Sequence, residues 1–268
     1  MARVLGVHGI GNYTYHRHGG APALAAEWAA NLRAGQPDVT LDLDVAFYAH
    51  HLHRGTPQGP ADDPAYLVPD AQDYLIDWVE LLRPELAIPQ GPRTVRARQA
   101  VDWLTRKFGP AARIFAIAFC REVHTYLSQP DSPRRVSARQ AVADAIEKHR
   151  PDVVVAHSLG SVVAYETLWA HPGPDIELLV TLGSPLAMPG VVLPRLIPDA
   201  VRGGRPPRIR QWVNLADIGD LVAVPRTGLR PHFQGVTEDI HVVIGKWEFH
   251  RVGAYLRSAE VARTICPP

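Results

Sequence analysis

The chain has 268 residues, 46% of them hydrophobic, a formal net charge of +1 and a mean hydropathy of −0.08. That length and composition suit one large globular domain, and the near-neutral charge, with no basic patch interleaved with aromatics, argues against nucleic acid as a partner. Cys120 and Cys266 stand in no metal or redox spacing, Met1-Ala2-Arg3 leads straight into an apolar strand with no signal-peptide pattern, and the longest apolar run, Ile114 to Cys120, is too short to span a bilayer. A cytoplasmic protein without stable membrane insertion is expected.

Arg3 to Val7 reads as a buried strand, followed by the glycine-rich His8-Gly9-Ile10-Gly11-Asn12. Ala21 to Arg33 reads as a helix with Pro22 in its first turn. Asp38 to Tyr48 alternates, placing Val39, Leu41, Leu43, Val45 and Phe47 on one face of a half-buried strand near a sheet edge. Thr56 to Pro64 is rich in Pro, Gly and Asp and reads as a loop. Three helical stretches follow, Asp70–Leu82, Thr94–Phe108 and Ala111–Leu127. Ser137 to His149 reads as a helix capped by Ser137. Val153-Val154-Val155 is an apolar strand, and Ser161 to Ala170 a helix. Ile176 to Thr181, Arg208 to Leu215 and Asp239 to Gly245 read as further strands, and Arg251 to Thr264 as a final helix. Apolar strands alternating with helices indicate an α/β fold with a mainly parallel sheet covered on both faces.

Ala156-His157-Ser158-Leu159-Gly160 lies between an apolar strand and a helix. Strand, sharp turn with a central serine, then helix is the nucleophile-elbow pattern, and the positions two before and two after the serine must be small. Ala156 and Gly160 meet that need, giving A-x-S-x-G. The alternative is a helix start in which Ser158 serves only as a cap. After Val7, the His-Gly-x-Gly run lets the backbone turn and approach a ligand closely. It matches neither dinucleotide nor phosphate-loop spacing, which disfavours a nucleotide site.

Two acids follow the strand ending near Leu215, namely Asp217 and Asp220. Asp220 is preferred because an apolar pair, Leu221-Val222, follows it directly, whereas Asp217 reads equally as a turn residue. His250 falls between the last strand and the last helix. His241 lies inside the strand pattern and reads as a packed or edge residue.

These motifs resemble the α/β-hydrolases, most closely the small lipase and esterase branch, through Val7-His8-Gly9-Ile10-Gly11 and Ala156-His157-Ser158-Leu159-Gly160. Thr181-Leu182-Gly183-Ser184-Pro185-Leu186 is similar to a segment of inositol-deacylase-like relatives. The resemblance covers residues 1–50 and 137–268 as an α/β-hydrolase core and fails over 51–136, which reads as a helical insertion forming a cap. It implies an acyl-serine mechanism with the chain order serine, acid, histidine. Ser158 would be the nucleophile, His250 the base and Asp220 the acid, with Asp217 as the alternative. The Ile10 and Leu159 N–H groups would form the oxyanion hole. His8, Gly9, His157 and Ser184 are candidates for lining the substrate site. The substrate expected is a small-molecule ester or acyl compound, and the chemistry calls for no cofactor and no metal.

Two other classes of function stand beside ester hydrolysis. One is acyl transfer, thioester cleavage or cyclisation through the same acyl-serine, and the other is a non-catalytic binding module. His16-Arg17-His18 and His50-His51-Leu52-His53 are imidazole-rich, but no carboxylate or cysteine stands at ligand spacing.

Overall fold

The computed structural model describes residues 2–55, 60, 62–83, 91–245 and 250–267. Among these, strands β1 (Ala2–Val7), β2 (Leu41–Ala46), β3 (Val153–His157), β4 (Ile176–Leu182), β5 (Ile209–Asp217) and β6 (Glu238–Val242) form one sheet. Its order is β2-β1-β3-β4-β5-β6, with every neighbouring pair parallel. The helices are α1 (Gly20–Gly35), α2 (Ala49–Leu52), α3 (Pro69–Leu82), α4 (Arg93–Phe108), α5 (Pro110–Leu127) and α6 (Pro133–His149), then α7 (Leu159–Ala170), α8 (Ala200–Gly203), α9 (Val252–Leu256) and α10 (Ala259–Ile265).

Side-chain alternation along each strand divides the core in two. Leu5, Val7, Val154, Ala156, Leu179 and Trp212 face a layer built from α3 to α7. Val4, Val155, Val180, Leu182, Val213 and Leu215 face α1, α9 and α10. Gly6 has no side chain because Trp28 of α1 occupies that space; an added Cβ would lie 2.8 Å from the indole. The apolar face of edge strand β2 also turns toward α1. Cys120 and Cys266 are free, buried thiols in opposite layers.

The helices α3 to α5 share the apolar cluster of the sheet face and α7. A buried ion pair ties them further: Arg135 of α6 meets Glu166 of α7, and the Tyr126 hydroxyl of α5 donates to the same carboxylate at 2.7 Å. Breaking such a pair by removing one partner costs about 3–5 kcal/mol.

Most boundaries shift by a few residues from the sequence reading, β2 for example spanning Leu41–Ala46 and not Asp38–Tyr48, and three of the differences bear on the elements around the site. α6 begins at Pro133 and is capped by Ser132, whose side chain accepts from Arg135 N–H at 3.2 Å. Ser137 is interior to the helix, because proline at the first helical position suits the earlier start. β6 stops at Val242, since the Ile244 N–H leaves the ladder for the Asp217 side chain at 2.8 Å. The final helix is two, α9 and α10, with Ser258 at the second N-cap position.

Candidate active site

From β1 the chain moves outward to β2, and later returns to lay β3 on the other side of β1. This reversal opens a crevice at the carboxyl ends of β1 and β3, the place where parallel α/β sheets bind ligands. Ser158 follows β3 there, and His8-Gly9-Ile10 follows β1.

Ser158 has φ 55° and ψ −133°, a backbone conformation strained for any residue with a side chain. The turn is held by its surroundings. Its N–H donates to Leu182 O at 3.0 Å, and its carbonyl accepts from the Ser161 hydroxyl at 2.6 Å. Since that carbonyl takes the only Ser161 hydrogen, the 2.7 Å contact between Ser161 and Ser184 has Ser184 as donor. Ser184 in turn accepts from Leu186 N–H at 3.3 Å. Ser184 is thus buried and its hydroxyl hydrogen is committed to a relay that braces the turn. Gly160 is required because a Cβ there would overlap the Val7 and His8 carbonyl oxygens, where α7 crosses the end of β1. The Ser158 hydroxyl is wholly buried and makes no hydrogen bond among the described residues.

Asp220 and His250 meet near this turn, the His250 ring 4.6 Å from that of His157, the residue before Ser158. His250 Nδ1 lies 2.8 and 2.9 Å from the two Asp220 carboxylate oxygens. Val222 N–H donates to Asp220 Oδ1 at 2.8 Å, and the Tyr255 hydroxyl reaches Oδ2 at 2.6 Å. His250 Nε2, like the Ser158 hydroxyl, is buried and unpartnered among the described residues. Asp217 is consumed elsewhere: its carboxylate accepts from Gly219 N–H at 2.6 Å and from Ile244 N–H at 2.8 Å. His241 is exposed on edge strand β6. Gly183, at φ 52°, makes room for the pair, since a Cβ would stand 2.6 Å from Asp220 Oδ2 and 3.1 Å from His250 Cε1.

The loop after β1 is equally fixed. Tyr48 N–H donates to His8 Nε2 at 3.2 Å, so the neutral ring carries its hydrogen on Nδ1 and gives it to Gly9 O at 2.8 Å. Burial depresses the His8 pKa to about 4, which keeps the ring neutral. Asn12 Nδ2 also donates to Gly9 O, at 3.0 Å. In a trans peptide the N–H opposes the C=O, so clasping Gly9 O aims the Ile10 N–H away from the clasp. Gly9 itself touches the elbow, with a Cβ placed there only 2.7 Å from Ser158 Cβ. His8 therefore braces the loop with both ring nitrogens, and Gly9 serves close approach. Leu159 opens α7, so its N–H has no acceptor within the helix.

A cleft of about 590 Å³ reaches this centre, lined by Ile10, Asn12, Ala111, Phe115, His157 and His250 among others. His157 lies with its ring centroid 4.6 Å from that of His250, and burial holds its pKa well below the usual imidazole value. The 51–136 helices touch each of the three loops. Trp78 Nε1 of α3 donates to Leu221 O at 2.7 Å beside Asp220. Phe115 of α5 packs on His250 with centroids 5.3 Å apart. Glu122 of α5 accepts from Gly11 N–H at 3.0 Å. His16, His50 and Phe47 stack with one another, and among the described residues no group of histidine, cysteine or carboxylate side chains is arranged to hold a metal ion.

Sequence reasoning missed Tyr255, Asn12, Trp78 and Phe115. Each sits in a pattern that reads as ordinary helix core or loop, and only Asn12, next to the glycine run, carried a signal. Fold and site together define an α/β protein with a six-stranded parallel sheet flanked by helices. No helix among the described residues is long and apolar enough to cross a membrane. The chain matches no family model, no curated protein and no solved structure.

Proposed function

We propose that the protein is a serine hydrolase of the α/β-hydrolase type, cleaving a small carboxylic ester through an acyl-serine. The observation that carries this reading is the buried His250–Asp220 pair close to a strained serine turn, with neither Ser158 Oγ nor His250 Nε2 hydrogen-bonded among the described residues. A serine hydroxyl is a weak nucleophile until a base takes its proton. In this reading His250 Nε2 accepts that proton as Oγ attacks the carbonyl carbon. Asp220 holds the hydrogen on Nδ1 and stabilises the imidazolium. The Ile10 and Leu159 N–H groups receive the oxyanion, each worth about 3 kcal/mol in the transition state. The imidazolium then protonates the departing alkoxide, and a water activated by the same base releases the acid.

The insertion over 51–136 acts as the cap in this scheme. Ser158 is 0% exposed, so part of the protein around it has to move to admit a substrate, and α5, whose Phe115 packs on His250, is the element this scheme moves. The same burial favours acyl transfer as a second reading, because a site that excludes water lets another nucleophile compete.

Labelling with a fluorophosphonate probe tests the proposal, followed by p-nitrophenyl esters of graded chain length. Labelling of the wild type, absent in Ser158→Ala, is expected; folded wild type that resists the probe and turns over no ester would overturn it. Adding an alcohol acceptor and quantifying new ester against free acid separates transfer from hydrolysis.

A further inference from the structure

Tyr255 lies on α9, five positions beyond His250, with its side chain wholly buried. Its hydroxyl is 2.6 Å from Asp220 Oδ2 and 3.0 Å from the backbone nitrogen of Asp217. A backbone N–H only donates, so the phenol oxygen accepts from Asp217, and its single hydrogen is left for Asp220. Burial and the neighbouring Asp220 charge raise the Tyr255 pKa far above its ordinary value, so the phenol keeps that hydrogen. The hydroxyl is thus locked as a one-way donor.

The two oxygens of Asp220 are held differently. Oδ1 is anchored by its own loop, through Val222 N–H at 2.8 Å and Ala223 N–H at 3.4 Å. Among the described residues, the bond to Oδ2 other than that of His250 comes from Tyr255. We propose that Tyr255 is a positioning residue that fixes the Asp220 carboxylate against His250 and draws off part of its charge; this rests on the serine-hydrolase reading. The short segment from His250 through α9 thereby supplies both the base and the brace of its acid partner. Removing the hydroxyl frees Oδ2 to rotate and leaves more carboxylate charge on the imidazolium. The first effect slows turnover, and the second stabilises the protonated, inactive base.

The test is Tyr255→Phe, which keeps the ring and removes only the hydroxyl, with Tyr126→Phe as control. Tyr126 also donates to a buried carboxylate, at 2.7 Å to Glu166, away from the site. Expected for Tyr255→Phe are a kcat about tenfold lower, KM changed less than about twofold, and the acidic limb of the pH–rate profile moved upward by about 0.5 unit. Tyr126→Phe should lower the melting temperature and leave the limb in place. If Tyr255→Phe does not fold, 3-fluorotyrosine at 255, a stronger donor of nearly the same shape, should move the limb downward instead. A wild-type profile in Tyr255→Phe, or an unmoved limb with 3-fluorotyrosine, would overturn the proposal. The proton resonance on His250 Nδ1, read by NMR at low pH, must also shift in either variant. Because that signal needs no turnover, a shift in a protein that fluorophosphonate does not label would refute the hydrolase reading and leave the positioning role standing.

Discussion

Replacing the candidate nucleophile with glycine should make the protein more stable. Ser158 at φ 55° and ψ −133° stores about 2 kcal/mol of backbone strain, which glycine does not feel. Its hydroxyl, buried and without a hydrogen bond among the described residues, adds about 2 kcal/mol of desolvation cost. Against these stand a small void worth about 1 kcal/mol and the added chain entropy of glycine, also about 1 kcal/mol. The net gain is about 2 kcal/mol. A chain of 268 residues has an unfolding entropy of about 0.56 kcal/mol per kelvin, so Tm should rise by about 3–4 °C. Ser158→Ala removes the hydroxyl and keeps the strain, so the difference between the two variants isolates the backbone contribution. Calorimetry on wild type, Ser158→Gly and Ser158→Ala at one pH supplies the comparison. Glycine falling below alanine by the usual penalty of about 1 kcal/mol would show that the turn stores no strain, and the argument would fail.

Asp220→Asn should lower kcat about 10³–10⁴-fold, while Asp217→Asn, which touches only turn and strand-end N–H groups, should stay within about tenfold of wild type. The reverse order in steady-state kinetics would move the acid to Asp217. Gly183→Ala should cost roughly 10²-fold in kcat without removing a polar atom, because its methyl would stand 2.6 Å from Asp220 Oδ2; unchanged turnover would mean that the pair tolerates displacement. His8, depressed from 6.5 to about 4 by burial, is protonated more readily in the unfolded chain. Stability should therefore fall as pH drops through that window, by about 3 kcal/mol from this residue at the acid end. Urea titrations at several pH values should show a flatter dependence for His8→Gln, and an identical slope would remove His8 as the cause.

The alternation of apolar strands with helices and the tight Ala156–Gly160 turn are local features, which is why the parallel sheet and the elbow position were legible without coordinates. The choice between Asp220 and Asp217 was weaker, since both follow the end of the same strand. What distinguishes their surroundings is that the Ile244 N–H just after β6 and the turn at Gly219 engage the Asp217 carboxylate, a tertiary fact. Tyr255 was invisible because a tyrosine on the apolar face of a short helix reads as core, and it is core except at one atom. The hydrogen bonds of His8 and Ser184 were illegible for the opposite reason: both flank recognisable motifs, and their polar atoms engage Tyr48, Gly9, Ser161 and Leu186, partners that only the fold brings near. The Ser132-Pro133 start of α6 was legible and outweighed by a later serine.

Under the hydrolase proposal, the anchoring of α5 sets how a substrate would reach a serine with no exposed surface. Its last turns cannot move freely: Tyr126 donates to Glu166 within the Arg135 ion pair, and Phe119, Cys120 and Val123 are fully buried in the common core. Its first turns also bury Ala112, Ala116 and Ile117, but their outer face is open: Ala111 and Phe115 line the cleft, Ile114 is 52% exposed, and the helix follows Gly109, whose φ of 87° suits a hinge between α4 and α5. Opening should therefore occur by fraying or tilting of the segment near Ile114 to Ile117, which lifts Phe115 off His250 and leaves Tyr126 in place. Amide hydrogen exchange should show Ile114–Ile117 exchanging at least about tenfold faster than Val123–Leu127, with the gap narrowing after phosphonylation of Ser158. Equal protection along α5 would mean that the helix moves as one piece or not at all, and access would then have to come from the side of α9.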